Sequence, residues 1–292
     1  AMIKQLTIIG VGLMGGSLAR ALKQQGYCHE VVGCGRDISQ LQKALALGVI
    51  DRFSTDVGEA VSGADMVVVA VPLGAMESCF RAMIGHLAAD AVITDVGSAK
   101  ECVVVAAQNA FGQLPSGFVP GHPIAGTEKS GVEASFATLY QGRRVILTPL
   151  PESAPAAVIK VRAMWEQAGA QVDEMAVRHH DELLAATSHL PQLLAYSLVN
   201  TLVNMDESEA IFRFVGSGFK DTTRLAGSDP VMWRDIALAN KDAILTMIDC
   251  YSDTLQQLRD AIQKGDSAAL ECCFNRARTA RANFMYEIKD KP

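Results

Sequence analysis

The 292-residue chain has no surplus of positive charge: 26 Lys and Arg stand against 32 Asp and Glu, a formal net charge of -6. Without basic residues in excess to neutralise phosphates, nucleic acid is excluded as a main partner, although a local group of Arg and His still suits a small anionic substrate. The sequence lacks any apolar run of the roughly 18–20 residues that a membrane span needs. It opens without a leader carrying a small-residue cleavage site, so the expected location is cytoplasmic. Its seven cysteines, at 28, 34, 79, 102, 250, 272 and 273, form no CxxC pair. An odd, scattered set of this kind predicts reduced thiols rather than disulfides, and no metal site. Internal repeats and low-complexity linkers are missing too.

What is present is an ordinary globular composition, 49% apolar and 20% charged, on a chain long enough for two domains. The first 150 residues alternate β-branched runs with helical spacing. Strands are expected at Leu6–Ile9, Glu30–Cys34, Asp65–Val71, Ala91–Asp95, Phe118–Pro120 and Arg144–Leu147. The run Asp65-Met66-Val67-Val68-Val69-Ala70-Val71 is apolar almost throughout, as a parallel strand buried on both faces requires. Alternating strand and helix implies an α/β fold, a doubly wound parallel sheet. A helix from about Ser153 to Gly169 and a short strand at Gln171–Asp173 finish this part. After residue 176 only helical stretches remain: Val177–Asn204, Glu207–Phe214, Pro230–Ile262 and Ser267–Ile288. The expected division is therefore a dinucleotide-binding domain over 1–176 and an all-α domain over 177–292. The second domain carries apolar stripes wide enough to predict a homodimer built through it.

Gly10-Val11-Gly12-Leu13-Met14-Gly15 leaves a strand and opens a helix. Gly10 permits the tight turn, Gly12 lets a pyrophosphate approach the backbone, and Gly15 lets helix pack on strand. The helix start supplies free N–H groups for phosphate oxygens. About 20 residues on, where a carboxylate would bind a ribose 2′-hydroxyl, stands Gly35 followed by Arg36. That exchange favours a 2′-phosphate, hence NADP, with NAD or dual use left open by Asp37. Val71-Pro72 ends the third expected strand on the cofactor side, where Pro also serves as a plain strand terminator.

The chemistry-bearing residues fall at the same sheet edge. Asp95-Val96-Gly97-Ser98-Ala99-Lys100 follows a strand and starts a helix; on this motif alone a helix-capping role for Ser98 is the simpler reading. His122 lies in Gly121-His122-Pro123-Ile124-Ala125-Gly126-Thr127-Glu128-Lys129-Ser130-Gly131, fixed between Gly and Pro. A histidine there suits proton removal from an alcohol during hydride transfer. The helical part adds Ser188-His189-Leu190-Pro191, whose proline should kink its helix. It also adds Asp221-Thr222-Thr223-Arg224, which puts Asp221 and Arg224 on one face if the stretch is helical, and Trp233, which by itself reads as core.

These motifs, in this order, resemble the prephenate and arogenate dehydrogenases of tyrosine biosynthesis over essentially the whole chain. The most specific part is the His122-Pro123 segment through Ser130-Gly131. The resemblance implies oxidative decarboxylation of a small cyclohexadienyl substrate with hydride transfer to NAD(P). It implies that His122 accepts the hydroxyl proton and that Ser98 orients the hydroxyl. His189 and Arg224 would bind polar groups, Arg224 pairing with a carboxylate. Thr127, Glu128 and Trp233 would border the pocket, and Asp221 would hold Arg224. Gly10, Gly12, Leu13, Met14, Gly15, Arg36, Val71, Pro72 and Gly97 would line the cofactor. Prephenate is not separable from arogenate by these residues. A β-hydroxyacid dehydrogenase of the same architecture is the alternative enzyme, but it needs a catalytic Lys at a glycine-rich helix start in the second domain, and no such segment occurs. A non-catalytic dinucleotide sensor would keep the glycines without needing His122, Ser98, His189 and Arg224 together.

Overall fold

The computed structural model describes residues 2–289. Six strands, β1 (Ile3–Ile9), β2 (Cys28–Cys34), β3 (Arg52–Ser54), β4 (Met66–Val69), β5 (Val92–Asp95) and β6 (Phe118–Val119), form an all-parallel sheet in the order β3-β2-β1-β4-β5-β6. The crossovers are α1 (Leu13–Gln24), α2 (Ile38–Ala46), α3 (Val57–Val61), α4 (Met76–Met83) and α5 (Glu101–Phe111). Both faces are covered. Met66 and Val68 of β4 join a core with Ile8, Leu18, Leu22 and Trp165, while Val67 and Val69 join Ile9, Phe80, Ile93 and Phe118 on the other side. That two-sided burial is why β4 has no polar alternation. The strand order reverses between β1 and β4, and this places a crevice at their carboxyl ends.

A second, three-stranded sheet corrects the expected continuation of the series. β7 (Gly121–Pro123) runs antiparallel to β8 (Arg144–Leu147), which pairs in parallel with β9 (Gln171–Glu174) after α6 (Pro155–Gln167). The 144–147 strand thus leaves the main sheet, and His122 sits inside a strand, opposite Ile146. After β9 all elements are helices: α7 (Val177–Leu184), α8 (Leu190–Val203), α9 (Ser208–Arg213), α10 (Ser217–Thr223), α11 (Pro230–Ala239), α12 (Lys241–Lys264) and α13 (Ser267–Lys289). The expected continuous helix over 177–204 is interrupted by a π-turn at Ala185–His189, immediately before Pro191, and the one over 230–262 breaks at Asn240. By compactness the chain separates into 1–241 and 242–292. The smaller unit consists of the long helices α12 and α13, whose Leu255, Ile262, Phe274 and Phe284 are exposed. No helix among the described residues is long and apolar enough to cross a membrane.

The glycines of the first turn differ in what they permit. Gly10 has φ +94°, and a Cβ there would lie 2.4 Å from the Ala70 carbonyl oxygen. At Gly15 a Cβ would meet the Gly10 oxygen at 2.4 Å. At Gly12 it would meet nothing within 4 Å. Gly10→Ala is therefore expected to destabilise the fold by more than about 1 kcal/mol. Gly12→Ala should leave the melting temperature near wild type and weaken dinucleotide binding about tenfold, because its methyl fills ligand space only. Thermal melts and dinucleotide titrations of the two variants check this contrast. Equal losses of stability would contradict it.

Candidate active site

The crevice at the β1–β4 switch point is an open cleft of about 530 Å³ lined by Gly10, Val11, Gly12, Gln40, Ala70, Val71, Pro72, Ser130, Gly131 and Glu133. Gly12 caps α1 without any side-chain hydrogen bond, and the first turn holds no acidic residue. The helix therefore begins with N–H groups available to an anion. Together with the space beside Gly12, this fits a pyrophosphate. Of the residues expected at the cofactor, Gly10, Gly12, Val71 and Pro72 line the cleft. Leu13 turns into the core, Gly15 packs α1 on β1, and the Met14 carbonyl accepts from the Tyr140 hydroxyl at 2.7 Å. Arg36 is exposed just past β2. Asp37 is committed elsewhere: its carboxylate caps α2 by accepting from the Ser39 and Gln40 N–H groups at 2.9 and 3.3 Å. Gln40, Ser130, Gly131 and Glu133 were not foreseen in this cleft. Their helical or loop context gives no sign that they turn toward β1.

At the end of β5 a buried ion pair organises the next loop. Asp95 and Lys100 have no solvent exposure, and the Lys100 ammonium donates to Asp95 Oδ2 and to the Gly121 carbonyl. Asp95 also accepts from the Gly97 N–H (2.8 Å) and the Gly121 N–H (3.1 Å). A Cβ on Gly97 would sit 2.9 Å from that carboxylate. This clamp joins the Ser98 loop to the strand that carries His122. Ser98 is not the cap of α5: the N–H groups of Lys100 and Glu101 donate to the two oxygens of Asp181, at 2.8 and 3.0 Å. That correction removes the structural duty that the motif alone suggested for Ser98.

His122 is 8% exposed, and its Nδ1 lies 2.8 Å from His180 Nε2. His180 Nδ1 in turn lies 2.8 Å from Asp181 Oδ1. Burial, with His180, Lys100 and His189 nearby, holds the His122 ring well below the usual imidazole range, so it is neutral at pH 7. His189, on the π-turn, is 1% exposed, and burial pushes it down to about 4. Its Nδ1 lies 3.1 Å from the Asn240 side-chain amide, which also donates to the Asp181 carbonyl at 2.9 Å. Because the amide nitrogen can only donate, His189 Nδ1 accepts and Nε2 carries the proton. That Nε2 faces the Ser98 backbone, whose hydrogen bond favours the protonated ring, while Trp233 Nε1 is buried with no hydrogen-bond partner; the two rings pack edge to face at 5.9 Å. A buried, unpaired indole N–H is costly unless a ligand acceptor meets it. Trp233 is therefore more than core. A π-turn at this place fits the same reading, since such turns concentrate at functional sites.

Arg224, 64% exposed, is paired through Nη1 with Glu128 Oε1 at 2.9 Å. Asp221, exposed on α10, is not its partner, which corrects the expected Asp221–Arg224 arrangement. The pair draws the 125–131 loop to the turn after α10, and Thr127 Oγ1 stiffens that loop by accepting from the Lys129 N–H at 3.1 Å. His180, Asp181, Lys100, Asp95 and Asn240 were missed as site residues. The His179-His180-Asp181 run reads as a solvated helix face, and only the fold brings it to residue 122.

Two family profiles together match most of the chain. One is described as the prephenate dehydrogenase nucleotide-binding domain, matching residues 18–174, and the other as the prephenate dehydrogenase dimerization domain, matching 176–276. A cyclohexadienyl dehydrogenase of Zymomonas mobilis is 38% identical over 95% of this chain and 95% of its own. A prephenate dehydrogenase of Bacillus subtilis is 35% identical over 94% of this chain and 75% of its own. Among solved structures, prephenate dehydrogenase from A. aeolicus in complex with hydroxyphenyl propionate and NAD+ superposes with a TM-score of 0.91 at 35% identity, covering 97% of this chain and 99% of that one.

Proposed function

Because this chain belongs to the prephenate dehydrogenase family, we propose that it oxidatively decarboxylates prephenate, arogenate or both, yielding 4-hydroxyphenylpyruvate or tyrosine. The observation that carries this reading is His122: a buried, neutral histidine on β7, tied to the carboxyl end of β5 in the main sheet by the Asp95–Lys100 clamp on Gly121. A bound nicotinamide supplies the hydride acceptor at that end of the sheet. His122 takes the proton of the ring hydroxyl as hydride leaves the same carbon. Ser98, free of capping duty, orients the hydroxyl. His189 and the unpaired N–H of Trp233 meet substrate oxygens, and Arg224 pairs with a carboxylate through its planar fork, exchanging Glu128 for it. Thr127 and Glu128 border the same opening. Loss of carbon dioxide from the opposite ring carbon makes the ring aromatic. With substrate labelled in the ring carboxylate, released carbon dioxide should equal reduced nicotinamide mole for mole; reduction without release would refute the reaction.

The preferred cofactor in this reading is NADP, with NAD also used. Asp37 is occupied as a cap, and Arg36 stands exposed just past β2, free to pair with a 2′-phosphate. Arg36→Ala should raise KM for NADP about tenfold or more while leaving KM for NAD within about twofold, since only the 2′-phosphate contact is lost. An equal rise for both cofactors would count against it. The reading also includes a homodimer formed through the helical region beyond residue 176, consistent with the dimerization-domain match and the exposed apolar side chains of α12 and α13. The boundary at 176/177 follows β9 directly, and seven free cysteines suit a cytoplasmic enzyme.

A further inference from the structure

We infer that His180 and Asp181 are positioning residues for the proton acceptor: a hydrogen-bonded line from Asp181 through His180 fixes His122 with its proton on Nδ1 and its lone pair on Nε2. The inference rests on the role of His122 given above for its catalytic meaning, and on geometry alone for its structural part. Asp181 is the fixed end. Burial raises its carboxyl, but hydrogen bonds from His180 and from the N–H groups of Lys100 and Glu101 outweigh this and keep it ionised. An ionised carboxylate only accepts, so His180 Nδ1 must donate. His180 is itself neutral: burial lowers it, and the opposing hydrogen bond to Asp181 does not restore the ordinary value. A neutral ring with its proton on Nδ1 presents a lone pair at Nε2. His122 Nδ1 must therefore donate across the 2.8 Å contact, leaving its own Nε2 as the acceptor.

Charge in the cluster points the same way. The ionisable groups around the His122–His180 pair are Lys100 and His189, which act on His122, and Lys100, Asp95 and Asp181, which act on His180. Lys100 and Asp95 neutralise each other, and both histidines beside His122 are neutral. Asp181 is left as one net negative charge at the start of α5. A proton arriving on His122 brings the cluster to neutrality instead of adding a second buried positive charge. A buried imidazole with so low a proton affinity needs such a counter-charge to accept a proton from an alcohol. The cap that Asp181 gives α5 needs a carboxylate but no histidine beside it, so the buried His180 between Asp181 and His122 is not explained by capping.

The direct test is long-range proton–nitrogen NMR of the imidazoles in the full-length protein labelled with 15N-histidine. Six histidines are present, and the His122 signals are assigned by their loss in His122→Asn. The wild type should show His122 with a protonated Nδ1 and a pyridine-like Nε2, and Asp181→Asn should shift it toward the opposite tautomer. In kinetics, Asp181→Asn should lower kcat about 10²-fold or more with KM for the ring substrate and dinucleotide affinity within about threefold. If that variant loses its helix cap and folds poorly, the His180 pair decides. Glutamine retains an oxygen that accepts from His122 Nδ1 and leucine does not, so His180→Gln should keep at least about tenfold more kcat than His180→Leu. A wild-type His122 protonated on Nε2, or a His180→Leu enzyme with wild-type kcat, would overturn the inference. The tautomer is read without substrate, so an error in the assigned reaction leaves that result standing, and the wrong tautomer overturns the inference whatever the enzyme turns over.

Discussion

Replacing His122 by Asn should lower kcat by about 10³-fold and leave the dinucleotide dissociation constant within about twofold of wild type. Asparagine preserves much of the ring's volume and can still hydrogen-bond toward His180, so β7 should keep its pairing with β8. What it removes is the imidazole nitrogen that accepts the hydroxyl proton in the proposed reaction. The pH profile adds a second reading. Burial and three basic neighbours depress the His122 ring, so its acceptor form predominates from neutral pH downward until the depressed pKa is reached. The acid limb of kcat assigned to this residue should thus lie below about pH 6.5, the ordinary histidine value. Rapid-mixing kinetics with purified variant and a dinucleotide titration check both statements. An Asn variant with wild-type kcat would remove His122 from the chemistry.

Lys100→Met should cost more stability than any surface change in this chain. Lys100 is fully buried against Asp95, and neither has another source of opposite charge within the clamp. Removing one member of a buried pair strands the other, a penalty of about 3–5 kcal/mol. Set against total stabilities of roughly 5–15 kcal/mol, that loss is large. The melting temperature should fall by about 10 °C, taking roughly 2–4 °C per kcal/mol for a unit of this size. Activity should drop as well, because Lys100 also donates to the Gly121 carbonyl beside His122. Pairing Lys100→Met with Asp95→Asn should recover part of the stability, since no unpaired charge then remains, while the N–H groups of Gly97 and Gly121 still need an acceptor. A single variant melting like wild type would show that the ion pair is not what holds the Ser98 loop to β7.

The sheet was legible wherever local pattern and tertiary burial agree. Gly10 and Gly15 signalled the turn because no other residue fits those close approaches, and β4 signalled itself through an apolar run that only two-sided burial explains. The strand at Arg52–Ser54 escaped notice: it is three residues long, begins on an exposed Arg, and exists by pairing with β2. Arg144–Leu147 was legible as a strand but not as a member of a second sheet, because an apolar strand carries no mark of which neighbour it pairs with. His122 could be read from its Gly-His-Pro setting. Its support could not, since His180 lies 58 residues away and the Asp181 carboxylate reaches α5 across 80 or more. The predicted Asp221–Arg224 pair failed for a related reason. Helical spacing describes neighbours on one helix, and the guanidinium instead found Glu128, 96 residues distant.

The central claim, that this fold oxidises a cyclohexadienyl acid with a nicotinamide dinucleotide, is tested most directly by following absorbance at about 340 nm, where only the reduced nicotinamide absorbs. Purified protein is mixed with prephenate or arogenate, each with NADP or NAD. The account predicts a rise with at least one of the two acids, faster with NADP than with NAD and abolished by His122→Asn. Folded protein that binds dinucleotide yet gives no rise in any of the four combinations would contradict it.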